Sequence, residues 1–253
     1  MKKKQIWMTA IFMVLLILCA MLVFSRAGEA SEESAGSGHA DVDLILPPQA
    51  SDAVQTPAYE NLPDIDITSW EYLFVNQSHS IGQYAPEVTA VGEGNAYFDT
   101  RAVEAFRALL QGARDAGFAP HIYCAYRPYA TQESQFSNEV AKYVRQGYSE
   151  SDAQKAAALV VAEPGTSEHQ TGLSADVVDQ YYESLSVDRV DASFMQWLRE
   201  HCAEYGFILR YPEEKADVTG RNEPWHVRYV GPEAAQFMME NGLCMEEFVA
   251  LYR

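Results

Sequence analysis

Residues 167–178 read SEHQTGLSADVV, a polar turn that leads into a short apolar stretch. Gly172 allows the backbone to turn, and Ala175-Asp176-Val177-Val178 is typical of a short strand. His169 and Asp176 therefore lie at the two ends of one turn, and an imidazole with a carboxylate can bind zinc. A histidine and an aspartate beside a turn also occur for structural reasons alone, so both interpretations stay open at this point.

Helical and strand patterns surround this stretch in irregular order. Apolar spacing predicts helices over 100–117 and 193–205, and short apolar runs predict strands over 119–126 and 206–211. Further elements are predicted as follows: helices over 131–146 and 149–161, a strand over 226–230, and two short helices within 232–251. Because strands and helices do not alternate regularly, we expect a single α+β domain with a mainly antiparallel central sheet flanked by helices.

A second polar cluster, Glu223-Pro224-Trp225-His226, lies at the start of the strand predicted over 226–230. Two histidines and one acid would make a three-ligand metal site with a fourth position open for water, and Glu223 could move the proton of that water. Residues three apart face opposite sides of a flat strand, so Pro224 would have to mark a bend or bulge. The alternative is an edge strand with a buried tryptophan.

A third cluster, Tyr126-Arg127-Pro128-Tyr129, ends the strand predicted over 119–126. The guanidinium of Arg127 could bind a carboxylate through two hydrogen bonds or stabilise charge on a carbonyl oxygen, and a surface arginine in a turn is the alternative. The sequence contains no HExxH, GxSxG or SxxK. It therefore excludes a helical zincin site and argues against a serine acyl-enzyme.

Several of these motifs together resemble one family. SxHxxG followed by a small residue and xD matches Ser167, His169, Gly172, Ser174 and Asp176, and ExWH matches Glu223, Trp225 and His226. With the flanking segments, the resemblance covers about residues 72–253 and is to the VanY-type D-alanyl-D-alanine carboxypeptidases, zinc peptidases of the LAS group. The segment 220–223 is one residue shorter than in most members, which we expect to shift Glu223 or narrow one wall of the cleft.

The resemblance implies a Hedgehog/D,D-peptidase-like fold and a Zn²⁺ ion bound by His169, Asp176 and His226. It implies Glu223 as the catalytic base and then acid, and Arg127 near the substrate carbonyl or carboxylate. The substrate contacts it implies are Ser167, Gln132 and Trp225.

The implied reaction is hydrolysis of the terminal D-Ala from peptidoglycan stem peptides that end in D-Ala-D-Ala. Other bonds stay open, because the same site could serve a D,D-dipeptidase, an L,D-carboxypeptidase or an endopeptidase. A non-catalytic peptidoglycan-binding module is a further alternative, although all three predicted ligands and the base are present. A role in glycopeptide (vancomycin) resistance and a role in ordinary wall trimming also both stay open.

The N-terminus indicates export. Lys2-Lys3-Lys4 precede a 19-residue uncharged run over 6–24, which is long enough to cross a bilayer with the lysines in the cytoplasm. A cleaved signal peptide is the alternative. We expect an anchor or signal segment over 1–26, a flexible acidic and Ser-rich linker over 27–66, and an extracytoplasmic catalytic domain over 67–253.

Charge limits the partners of the exported part. Beyond residue 26 the chain has 14 basic and 36 acidic residues, a net charge of −22. This argues against nucleic acid and anionic lipid headgroups as partners. We therefore expect the protein to contact the membrane through its N-terminal helix. Cys124, Cys202 and Cys244 allow either one disulfide with a free thiol or three thiols.

Overall fold

The computed structural model describes residue 59, residues 61–181 and residues 185–252. The strands in these ranges are β1 (Val88–Ala90), β2 (Tyr97–Asp99), β3 (His121–Cys124), β4 (Ser174–Val178), β5 (Phe207–Tyr211) and β6 (Glu223–Tyr229). The helices are α1 (Val103–Asp115), α2 (Tyr129–Arg145), α3 (Glu150–Ala158), α4 (Ala192–His201), α5 (Ala216–Thr219), α6 (Pro232–Glu240) and α7 (Met245–Ala250).

Four strands form the central sheet in the order β3-β4-β6-β5, and every neighbouring pair is antiparallel. Strands β1 and β2 form a separate antiparallel pair. The predicted α+β architecture, an antiparallel sheet flanked by helices, is therefore confirmed. The predicted strand over 226–230 begins earlier than expected, because the observed strand β6 starts at Glu223.

The two faces of the central sheet differ in polarity. Side chains alternate along a strand, so Ala175 of β4, Val227 of β6 and Leu209 of β5 share one face and join the main hydrophobic core. Helix α1 covers this core with a helically spaced stripe, namely Val103, Phe106, Leu109, Leu110 and Ala113. Asp176 and His226 point to the other face, so the alternation that builds the core also pairs the predicted ligands.

A second apolar cluster packs the C-terminal helices α6 and α7 against β5 through Ile208, Phe237 and Phe248. Tyr59 and Ile65 pack against the same cluster, and the Tyr59 ring lies 5.3 Å from the Phe237 ring. The packed chain thus includes residues that the sequence analysis assigned to the linker over 27–66.

The predicted anchor over 6–24 lies outside the described residues. Among the residues that the structure does describe, no helix has both the length and the apolar character needed to cross a bilayer. Cys124, Cys202 and Cys244 are all free thiols.

Candidate active site

A short 3-10 turn over Glu168–Thr171 delivers His169 to the site, and Gly172 ends it with φ 73°. A Cβ at Gly172 would lie 3.0 Å from Pro86 Cγ and 3.2 Å from the backbone nitrogen of Asp99. Both the positive φ and the lack of space therefore favour glycine at this position. The turn brings His169 Nε2 to 3.2 Å from Asp176 Oδ2. The predicted turn at Gly172 is therefore confirmed.

The second histidine comes from the neighbouring strand. His226 of β6 lies directly opposite Asp176 of β4 in the ladder, and cross-strand partners face the same way. Its Nδ1 lies 2.9 Å from Asp176 Oδ1, and the two imidazole centroids are 4.8 Å apart. Asp176 thus has one oxygen toward each ring.

Both imidazoles are held in a defined orientation. His169 Nδ1 lies 3.0 Å from the carbonyl oxygen of Ala125, to which it must donate, so Nε2 is the nitrogen that a metal can bind once its own proton has left. His226 Nε2 is buried, lies 3.6 Å from Glu168 Oε2 and has no hydrogen-bond partner among the described residues. The rings therefore present His169 Nε2 and His226 Nδ1 to the two oxygens of the Asp176 carboxylate.

A bulge brings Glu223 to the same cleft. Leu209 pairs with Val227 but Tyr211 pairs with Glu223, so β6 contains two extra residues between these pairs. Pro224 lies within the bulge, as the sequence analysis required. Glu223 Oε2 lies 3.8 Å from His226 Nδ1, and Glu223 Oε1 lies 2.9 Å from Arg221 Nη1.

The remaining predicted residues line the same cleft, whose volume is about 240 Å³. Arg127 donates from Nη1 to Gln135 Oε1 at 2.8 Å and from Nη2 to Ser167 Oγ at 3.3 Å. Gln132 is buried and donates to the carbonyl oxygen of Ala162 at 2.6 Å. Trp225 is buried at the cleft wall. All eight residues singled out from the sequence therefore come together in one cleft.

The donor set fits a zinc ion. The ligand atoms of Asp176, Glu223 and His226 lie within 4.8 Å of one another, and so do those of Cys124, His169 and Asp176. Two imidazole nitrogens and a carboxylate oxygen are ligands that zinc prefers, and they leave a fourth position open. The unpartnered Nε2 of His226 is also explained by this fit, because a ligand bound through Nδ1 carries its proton on Nε2, facing the Glu168 carboxylate.

The charges of the site are strongly coupled. Burial opposes the imidazolium form of His169, but Cys124 and Asp176 outweigh it and raise the pKa of His169 to about 10. Burial likewise opposes charge on Asp176, but the two histidines outweigh it and hold the pKa of Asp176 well below its usual range. The pKa of His226 is raised by Asp176 and Glu168 against the effect of burial. The cluster therefore binds protons tightly, and a metal ion must displace them.

Glu168 forms a buried ion cluster behind the histidines. Its Oε1 accepts from Arg210 Nε at 2.7 Å and from Arg228 Nη1 at 3.0 Å, and Arg210 also pairs with Glu246. Burial alone would raise the pKa of Glu168, but the two guanidinium groups outweigh it and hold that pKa well below its usual range. Glu168 was not among the residues singled out from the sequence. Arg210 and Arg228, two charges inside predicted strands, are the sequence signal that could have indicated a partner such as Glu168.

Cys124 was missed as well. It lies opposite Asp176 in the β3–β4 ladder, which places its sulfur beside the predicted ligands. Burial raises the pKa of the thiol, but His169 outweighs it and leaves that pKa below its ordinary value. No motif around Cys124 marks this position, because strand pairing alone creates it.

The comparison with protein families agrees with this geometry. Residues 95–232, more than half of the chain, match the family model described as VanY: D-alanyl-D-alanine carboxypeptidase. The chain belongs to the VanY family. A D-alanyl-D-alanine carboxypeptidase of Enterococcus faecalis is 36% identical over 186 residues, which cover 73% of this chain and 67% of that relative.

Two solved structures of the family share the fold. VanYB in complex with D-alanine-D-alanine is 35% identical with a TM-score of 0.63, and the match covers 73% of this chain and all of that one. A mutant of the vancomycin resistance D,D-pentapeptidase VanY from a VanB-type cassette, in complex with Zn(II), is 37% identical with a TM-score of 0.61. That match covers 72% of this chain and 99% of the other.

Proposed function

We propose that this chain is a zinc-dependent carboxypeptidase that removes the terminal D-Ala from peptidoglycan stem pentapeptides ending in D-Ala-D-Ala. One observation carries the proposal: donor atoms of His169, Asp176 and His226 meet in one cleft beside the carboxylate of Glu223. Membership of the VanY family and the D-alanine-D-alanine bound to a solved relative support the substrate class.

The ion would be held by His169 Nε2, Asp176 and His226 Nδ1, because both nitrogens lie against the Asp176 carboxylate. The zinc of a solved relative supports the choice of metal. When bound, zinc polarises the scissile carbonyl and lowers the pKa of a water molecule. The carbonyl oxygen of Ala125 orients the His169 ring through Nδ1, and the Glu168 carboxylate faces Nε2 of His226. Burial of the histidines limits competition from bulk water.

Glu223 transfers the proton in the proposed reaction. Its carboxylate takes a proton from the attacking water and delivers it to the nitrogen of the departing D-Ala. The Arg127 guanidinium faces the cleft and stabilises the negative charge that develops on the carbonyl oxygen. Ser167 holds Arg127 through a hydrogen bond, and Gln132 and Trp225 contact the peptide that lies in the cleft.

The same proposal includes the location. The chain would be a single-pass membrane protein, anchored by residues 6–24, with its catalytic domain outside the cytoplasm. The uncharged run, the three lysines before it and the extracytoplasmic position of peptidoglycan support this. A contribution to vancomycin resistance is supported by the relative from a resistance cassette.

A product analysis tests the reaction. The full-length chain, loaded with zinc, is incubated with a stem pentapeptide, the corresponding tetrapeptide and free D-Ala-D-Ala, and products are identified by mass spectrometry before and after chelation. We expect D-Ala and tetrapeptide from the pentapeptide, loss of this activity after chelation, and recovery with zinc. Cleavage of the tetrapeptide alone would identify an L,D-carboxypeptidase, and cleavage of free D-Ala-D-Ala alone would identify a D,D-dipeptidase. Both would contradict the proposal.

A further inference from the structure

Strand pairing places the sulfur of Cys124 on the same face of the sheet as the proposed zinc ligands. Ile122 of β3 pairs with Val177 of β4, so in a regular ladder Tyr123 would lie opposite Asp176. The register shifts between Ile122 and Cys124, and Cys124 takes that position instead. A β-bulge therefore turns a thiol, in place of a tyrosine ring, toward the site.

Three segments of the chain bring donor atoms together around this thiol. The ligand atoms of Cys124 in β3, His169 in the 3-10 turn and Asp176 in β4 all lie within 4.8 Å of one another. Bond lengths of about 2.0–2.3 Å around a tetrahedral zinc ion place neighbouring ligand atoms about 3.3–3.6 Å apart. A small adjustment of the three side chains would therefore bring all three atoms to one ion.

The surroundings of Cys124 differ from those of the other described cysteines. Cys124 is half-buried, and its Sγ lies 3.6 Å from the carbonyl oxygen of Ala125, the same oxygen that His169 Nδ1 approaches. Cys202 and Cys244 are fully buried. A thiol sealed in a core behaves as a small apolar group, whereas a thiol beside an imidazole and a carboxylate completes a set of metal ligands.

We propose that Cys124 is an additional metal ligand, which together with His169, Asp176 and His226 captures thiophilic divalent cations such as cadmium. This inference rests on the metal site of the proposed function. Binding exchanges the proton of the thiol for the metal ion, and the proton passes to solvent. Four protein ligands complete a tetrahedral site and leave no position for water, so a cation captured in this way is held in a closed, inactive form.

The softness of the metal decides how strongly the thiol contributes. A thiolate is a soft ligand and favours soft cations, so it strengthens the binding of cadmium more than that of zinc. Zinc is also well served by imidazole nitrogens and a carboxylate oxygen, and with these three ligands it keeps the open position that the proposed function requires. Cys124 therefore acts on the choice of metal and not on the peptide.

Spectroscopy of the full-length chain tests the ligand. The metal-free chain is titrated with cadmium, and the sulfur-to-cadmium charge-transfer band in the ultraviolet is recorded. We expect the band in wild type, its loss in Cys124→Ser, and its retention in Cys202→Ala, which removes a buried thiol from the main core. Competition with zinc should show a cadmium-to-zinc affinity ratio lower by at least about 10-fold in Cys124→Ser, because even groups outside the ligand set account for 10- to 100-fold in metal affinity.

Alkylation of the wild-type chain tests the same contact without a variant. Iodoacetamide should modify the half-buried Cys124 in the metal-free chain, and mass spectrometry of its peptides should show that cadmium protects it. Cys202 and Cys244 should stay unmodified with and without cadmium, because both are buried. The inference is overturned if cadmium binds without the band, if the band persists in Cys124→Ser, or if cadmium leaves the modification of Cys124 unchanged. A chain that binds neither cadmium nor zinc would instead overturn the metal site of the proposed function.

Discussion

Asp176 is the residue through which the two histidines are coupled. One of its oxygens lies 3.2 Å from His169 Nε2 and the other lies 2.9 Å from His226 Nδ1. In this buried environment the carboxylate stabilises protons on both rings, and together with Cys124 at His169 and Glu168 at His226 it raises both histidine pKa values against the effect of burial. A metal ion uses the same nitrogen lone pairs, so metal binding and proton release are one event.

We therefore expect zinc binding to release protons and to strengthen as the pH rises. The sign follows from the raised histidine pKa values: near neutral pH the rings hold protons that a metal must displace, and fewer protons remain at higher pH. Calorimetric titration with zinc in buffers of different ionisation enthalpy measures the number released. His201→Gln, which removes an exposed histidine paired with Glu204, should leave that number unchanged. A binding heat that is independent of the buffer would contradict the coupling.

At the scale of elements, the site depends on two irregular pieces of backbone. The turn that ends at Gly172 aligns His169 with Asp176, and the bulge in β6 brings Glu223 toward His226. Regular strands would alternate these side chains between the two faces of the sheet. The hydrophobic core depends on the regular alternation of side chains, whereas the site depends on the turn and the bulge that interrupt it. Regular and irregular backbone therefore lie next to each other in the same strands.

Gly172→Ala should destabilise the fold and weaken zinc binding. The φ of 73° and the close contact with Pro86 together predict a loss of about 1–3 kcal/mol in the free energy of unfolding. The matched control is Gly242→Ala, where φ is 61° and no atom lies within 4 Å of the added Cβ. Chemical denaturation and zinc titration of both variants check this. Equal zinc affinity in the two variants would show that the turn does not position His169.

At the scale of the whole molecule, the Glu168 ion cluster joins the site to the C-terminal part of the fold. Glu168 belongs to the turn, Arg210 to β5, Arg228 to β6 and Glu246 to α7. Removing one member of such a buried cluster leaves charges without a partner, which costs far more than the intact cluster contributes.

Glu168→Gln should lower the free energy of unfolding by about 3–5 kcal/mol near neutral pH. The folded-state pKa of Glu168 is depressed, so its contribution is complete above the ordinary value of 4.5 and is lost as the pH falls toward the folded-state pKa. The difference between wild type and variant should therefore shrink in acid. Denaturation curves over a pH series measure it, with Glu104→Gln on the surface as the control. A difference that stays constant down to strongly acidic pH would contradict this origin.

Local pattern predicted most of this fold, since apolar spacing placed the helix α1 and the strands β3, β4 and β5. The motifs and the family resemblance together also singled out eight residues that line one cleft. Pattern did not reveal the positions of Cys124 and Glu168, because these arise from strand pairing and a buried ion cluster. These are contacts between distant segments, and no local spacing records them.

The most direct test is a comparison of wild type with Glu223→Gln, in which zinc content and D-Ala release from the pentapeptide are measured on the same preparations. The substitution keeps the shape of the side chain but removes its ability to accept and return a proton. We expect one zinc per chain in both proteins, and a D-Ala release rate that is lower by about 10²- to 10⁴-fold in the variant. A variant that keeps its zinc and releases D-Ala at the wild-type rate would contradict the proposed mechanism, and a variant that loses its zinc would make Glu223 a ligand instead of the base.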